Sequence, residues 1–264
     1  MIKQNISLII VLTGINQGNA LIVGASQGIG LGFVQYLLQQ ENIAKIYATY
    51  RQKETANELL ALKIEFGDRL ECLQVDVTIE SDIAAAAAHI KESSKRLHLA
   101  IYCVGVLHEE DLTPEKSLRQ IDPENLLYSF QVNSIGAVLL AKHLMPLFKK
   151  GEPSVFASVS AKVGSIGDNR LGGWYGYRAS KAALNMFLKT TAIEYSRRCP
   201  QTIVLALHPG TTDTRLSQPF QKNVPPGKLF AVEHTVNLLS KVIQQANIKD
   251  SGKFFSWDGS ELPW

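Results

Sequence analysis

"ALIVGASQGIG", residues 20 to 30, runs an apolar, β-prone stretch straight into Gly24, Gly28 and Gly30 and then into a helical pattern. Glycines allow a tight turn and close backbone approach. The helix start behind them offers free N–H groups and a positive dipole end to an anion such as a pyrophosphate. The spacing is GxxxGxG rather than GxGxxG, so taken alone the triplet marks a plain turn as readily as a phosphate loop. Its meaning depends on the rest of the chain.

The whole chain is built on strict alternation. Short β-prone runs at 20–26, 45–51, 70–76, 97–105, 153–160, 202–208 and 252–259 are separated by longer segments with apolar residues three and four apart. Strands alternating with helices imply a parallel sheet covered on both faces. The near-continuous apolar character of "ALIVGA" and "TIVLAL" agrees, since such strands are buried on both sides. The expected fold is therefore α/β, a single-domain Rossmann-type doubly wound sheet of about seven parallel strands. No linker or internal repeat divides residues 20–264, and residues 1–19 read as an N-terminal extension.

Composition narrows the function classes. The 264 residues are 45% hydrophobic and 19% charged, with a net charge of +3 and no basic stripe, which argues against nucleic acid as a partner. Cys72, Cys103 and Cys199 are spaced neither as a disulfide framework nor as metal ligands, so no metal is expected and a cytoplasmic setting fits. The apolar run Ile6 to Leu12 weakly resembles a signal sequence, but no small-x-small cleavage site comes after it and it is too short to span a membrane. An extra strand or a disordered extension is the expected reading there.

The second strand ends "ATYRQKE", with Arg51 where a carboxylate would bind a ribose 2′-hydroxyl and no acid before Glu54. A guanidinium forks onto phosphate oxygens, so Arg51 is expected to select NADP(H) over NAD, the alternative being a solvated surface arginine. The segment 211–230 lacks strong periodicity and is either a substrate lid beyond the strand ends or an ordinary surface loop.

In order along the chain, "GASQGIG", "VDV" (75–77), "VNSIGA" (132–137), "YRASK" (177–181) and "HPGTTDT" (208–214) make residues 20–260 resemble the short-chain dehydrogenase/reductase family, and more narrowly its C-factor-like and carbonyl reductase branch. The family's Tyr-x-x-x-Lys motif falls on Tyr177 and Lys181, whereas Tyr175 is followed four residues later by Ala179. On a helix, i and i+4 share a face, so the ammonium sits beside the phenol and favours its ionised form. Tyr177 is thus the expected acid/base, Lys181 its tuner, and Tyr175, like Trp174, wall or core. The resemblance further implies Asn133 in a proton relay through a water. It implies cofactor contacts from Gly24, Ser26, Gly28, Ile29, Gly30, Arg51, Asp76, Val77, Gly105, Pro209, Gly210, Thr212 and Thr214. Assembly as a homodimer or homotetramer is also implied.

Two departures stand out. The family's S-S-x-x-G pattern, aligned on Gly164, puts Ala161 at the serine that polarises the substrate carbonyl. Ser160 is expected to serve instead, with Ser158 or no serine as the other possibilities. The family's N-N-A-G reads "YCVG" here, and Cys103 is expected to be buried packing. Together these features predict an NADP(H)-dependent oxidoreductase acting on a small carbonyl or alcohol. The alternative is an NADP-binding regulatory or signalling protein with little turnover.

Overall fold

A computed structural model describes residues 17–109, 111–148 and 151–264. The strands are β1 (Gly18–Val23), β2 (Ile43–Tyr50), β3 (Leu70–Gln74), β4 (Leu99–Tyr102), β5 (Ser154–Val159), β6 (Thr202–His208), β7 (Thr211–Thr212), β8 (Leu229–Phe230) and β9 (Lys253–Ser256). The α-helices are α1 (Gly28–Leu38), α2 (Asn57–Phe66), α3 (Glu80–Ser94), α4 (Pro123–Phe130), α5 (Gly136–Phe148), α6 (Tyr175–Arg198) and α7 (Val232–Gln245).

Seven strands form one parallel sheet in the order β3-β2-β1-β4-β5-β6-β9, and each falls on one of the runs read from the sequence. Side chains alternate across a strand, and β1 shows the result directly. Ala20 and Ile22 join a core with Leu37 of α1, Leu59 of α2 and Leu239 of α7, while Leu21 and Val23 join another with Ile90 of α3, Leu144 of α5 and Leu184 of α6. Two apolar layers sandwich a sheet with no wet face. β1 opens at Gly18, two residues ahead of the expected start, and the run Ile6 to Leu12 lies outside the described residues.

Strand order reverses between β1 and β4, and in such sheets the ligand crevice lies there, beyond the carboxyl ends of the strands. Around it the connections are long. Segment 211–230 is pinned where β7 pairs with β8, and it carries a 3-10 turn at Gln218–Asn223. Pro123 and the Asp122 cap, which accepts the Asn125 N–H at 2.9 Å, start α4. α4 runs through a π-turn, Gln131–Ile135, into α5.

Candidate active site

The crevice is a cleft of ≈ 1430 Å³ running from Arg51 past the glycine loop to Tyr177. Gly24 and Gly28 take positive φ, 80° and 56°, and a Cβ on Gly30 would fall on the Gly24 carbonyl oxygen, so the sharp strand-to-helix turn requires these glycines. α1 begins without a side-chain cap and without an acid in its first turn, which leaves its N–H groups and dipole to an anionic ligand. A dinucleotide diphosphate fits this cradle.

Every residue expected to contact the cofactor lines the cleft, with Ser26 and Ile29 in the glycine loop. Asp76 and Val77 come after β3, Gly105 after β4, and Pro209, Gly210, Thr212 and Thr214 after β6. Asp76 accepts bonds from the Thr78 N–H (2.9 Å) and hydroxyl (2.7 Å), which orders the turn after β3. At the outer end Arg51 donates to the Tyr128 hydroxyl (3.1 Å) and pairs with Glu109 (3.4 Å). Nothing in the sequence alone marks Tyr128 or Glu109.

At the inner end Tyr177 and Lys181 share the cleft-facing side of α6, the Lys181 Nζ lying 5.9 Å from the Tyr177 ring centroid. Nζ donates to the Val159 carbonyl at the end of β5, 3.0 Å away. Burial pulls the Lys181 pKa down to about 8. Burial also raises Tyr177 above the ordinary phenol value. The expected lowering of the phenol by its lysine does not emerge: burial alone sets the direction, and it favours the protonated Tyr177. Cys103 is half-buried, packs against the core, and is held as a thiol by burial.

Asn133 sits behind this pair, wholly buried, within the π-turn. Its amide grips the loop after β4, accepting from the Val106 N–H (2.8 Å) and donating to the Val106 carbonyl (2.9 Å) and the Ser180 hydroxyl (3.0 Å). The π-turn replaces the usual ladder bond by one from Gly136 N–H to Gln131 carbonyl, a distortion that recurs at functional sites.

Ser160 lines the cleft, but its hydroxyl donates to the Asn185 Oδ1 on α6 at 2.6 Å. Ser158, also buried, has its hydroxyl 3.5 Å from the Tyr102 carbonyl and does not line the cleft. Ala161 does line it, without a hydroxyl to offer.

The entrance to α6 is built by side chains from distant loops. Gly172, Gly173 and Trp174 take positive φ in succession, and Arg178 secures the turn through the Gly173 (3.0 Å) and Val163 (3.2 Å) carbonyls. A tryptophan at φ 53° is strained by about 1–2 kcal/mol, so its ring is held in place by more than local preference. Its N–H donates to the Glu115 carbonyl (2.5 Å), and the buried Glu115 carboxylate accepts the Gly176 N–H (3.1 Å). Trp174 packs on Phe220 (4.9 Å between centroids) and edge-on to Tyr177 (6.2 Å), and Phe220 meets His108 at 5.8 Å. Trp174 is therefore wall, as expected, with Phe220 of segment 211–230 laid over it. Tyr175, expected as wall or core, is instead 36% exposed at the first position of α6 and does not line the cleft.

Known proteins share this architecture. The sequence pattern of the family described as short chain dehydrogenase matches residues 18–225. The chain is 31% identical over 254 residues to the short-chain dehydrogenase srdF of Neurospora crassa, covering 92% of this chain and 96% of that one. It is 30% identical over 148 residues to the C-signal of Myxococcus xanthus, covering 56% of this chain and 84% of that one. The NADPH-bound carbonyl reductase from chicken fatty liver superposes with a TM-score of 0.84 at 29% identity, 95% of each chain being covered.

Proposed function

The chain belongs to the short chain dehydrogenase family, and on that premise we propose that it is an NADP(H)-dependent oxidoreductase interconverting a carbonyl and an alcohol on a small, largely apolar molecule. The observation that carries the reading is the Tyr177–Lys181 pair, a protonated phenol and a buried amine one helical turn apart on a cleft that also holds the glycine cradle. NADP(H) is favoured by Arg51 at the end of β2, with no acid before Glu54, and by the likeness to the NADPH-bound avian carbonyl reductase. The Trp174, Phe220 and His108 rings favour an apolar substrate.

The reduced nicotinamide supplies, when bound, the hydride that reaches the carbonyl carbon. Tyr177 gives its phenolic proton to the carbonyl oxygen as negative charge gathers there. Lys181, protonated at neutral pH, stabilises the phenolate that remains, and a proton from solvent restores the phenol. Asn133 acts through the backbone: by holding Val106 it fixes the strand-end loop whose Gly105 lies beside the Lys181 Nζ. Ser160 has to release Asn185 before its hydroxyl can reach a carbonyl.

Oxidation of NADPH over a panel of aldehydes, ketones and diketones tests the reading. Turnover is expected on apolar members, with Tyr177→Phe slower by roughly 100-fold or more. Tyr177→Phe at full rate would sink the acid/base assignment. NADPH binding without turnover on any carbonyl would instead favour a regulatory role.

A further inference from the structure

The end of β5 presents no free hydroxyl to the cleft. Ser160 is bonded to Asn185, Ser158 is sealed in the sheet, and position 161 is alanine. One strand over, His208 closes β6 beside that same turn, since Val159 and Leu207 are register partners. The Nδ1 of His208 accepts the backbone N–H of Lys162 at 3.2 Å. A backbone nitrogen can only donate, so Nδ1 carries no proton and the neutral ring has its single N–H at Nε2. Burial, helped by the charge of Lys162 and opposed by Asp258, drives the His208 pKa down to about 4, so the ring is neutral at physiological pH.

The Nε2 has no hydrogen-bond partner among the described residues. Yet the one buried side-chain nitrogen or oxygen without a partner among them is the Asn185 Nδ2. The Nε2 is therefore not fully buried, and the residue that bears it lines the cleft along with Ala161 and Tyr177. A neutral donor of fixed tautomer, locked by a backbone bond, suits a carbonyl oxygen that gains negative charge.

We propose that His208 is a catalytic residue whose Nε2–H donates a hydrogen bond to the substrate carbonyl oxygen, sharing that oxygen with the Tyr177 hydroxyl in place of a serine at the end of β5. The inference rests on the carbonyl reductase reading of the site. No proton leaves the imidazole: Tyr177 supplies the proton that ends on the alcohol, and His208 keeps its own throughout.

Two substitutions separate this role from a structural one. In His208→Asn the side-chain oxygen can stand where Nδ1 stands and still accept the Lys162 N–H, but the outer donor is gone. In His208→Gln an amide N–H can reach the Nε2 position while the bond to Lys162 is lost. Steady-state kinetics with NADPH, with NADPH affinity measured separately, should show kcat reduced about 100-fold in His208→Asn at unchanged NADPH affinity. His208→Gln should stay within about tenfold of the natural protein, and adding Ala161→Ser to His208→Asn should recover about tenfold or more, since each restores one such donor. Full activity in His208→Asn, equal losses in both variants, or a loss confined to His208→Gln would each overturn the proposal while leaving the reductase reading intact. A natural protein idle on every carbonyl would overturn both.

Discussion

Arg51 and Glu109 meet across the mouth of the cleft, Nη2 to Oε1 at 3.4 Å, with the Tyr128 hydroxyl bonded to both side chains. The guanidinium comes from the end of β2 and the carboxylate from the loop after β4, so the contact bridges the two walls between which an adenosine would lie. A cofactor phosphate reaching Arg51 meets an acid already seated on it.

That arrangement predicts opposite effects from the two partners. Both side chains are more than two-fifths exposed, at 46% and 43%, so their pairing is worth only a few tenths to about 1 kcal/mol. Glu109→Gln should therefore lower the KM for NADPH about two- to fivefold and leave that for NADH unchanged. Arg51→Ala removes a charge-assisted contact and should raise the NADPH KM by about tenfold or more, again sparing NADH. Parallel NADPH and NADH titrations of the two variants check both signs, and equal shifts for the two cofactors would count against Arg51 as the discriminating residue.

Lys181 sets a pH limit. Its pKa of about 8 lies below the ordinary lysine value because burial disfavours the ammonium, whereas burial moves Tyr177 in the opposite direction, upward. As pH rises through 8 the lysine loses its proton first, while the phenol keeps its own, so the charge that stabilises the phenolate disappears before the acid does. The carbonyl-reducing kcat/KM should fall on the alkaline side with an apparent pKa near 8. In Lys181→Arg, whose guanidinium stays charged, that limb should move above pH ~10 on a lower plateau. An unmoved limb would mean that another group titrates there.

The sheet was legible because its strands are buried on both faces: the apolar continuity of "ALIVGA" and "TIVLAL" states that burial directly. The glycine cradle and the Tyr177–Lys181 pair were legible because their chemistry depends on spacing within one turn or one helix. Ser160 was harder, since at a strand end a shift of one residue turns a side chain to the other side, and here it turns toward Asn185. The contacts of Glu115, Phe220 and Glu109 join loops remote in sequence, and such loops carry no periodicity from which to read them. His208 opens the motif "HPGTTDT", but only its bond to Lys162 shows which nitrogen bears the proton.

Glu115 offers the sharpest test of how the helix that carries Tyr177 is held. It is only 5% exposed, and its carboxylate accepts the Gly176 N–H in the first turn of α6, where the helix dipole favours a negative charge. Its own carbonyl takes the Trp174 N–H, so one residue fixes both the strained turn and the helix start one residue ahead of Tyr177. Glu115→Ala leaves the buried Gly176 N–H without an acceptor, which costs about 1–3 kcal/mol. For a chain of this size that corresponds to a fall in Tm of roughly 2–10 °C. Glu115→Gln keeps an acceptor oxygen but not the charge, and should lose less than half as much. Because Trp174 and Tyr177 move with this turn, Glu115→Ala should also raise the KM for apolar carbonyls more than it raises that for NADPH, whose cradle lies on α1. Differential scanning calorimetry alongside the two KM values decides the matter: a lowered Tm with both KM values unchanged would confine Glu115 to stability and detach it from the substrate side of the cleft.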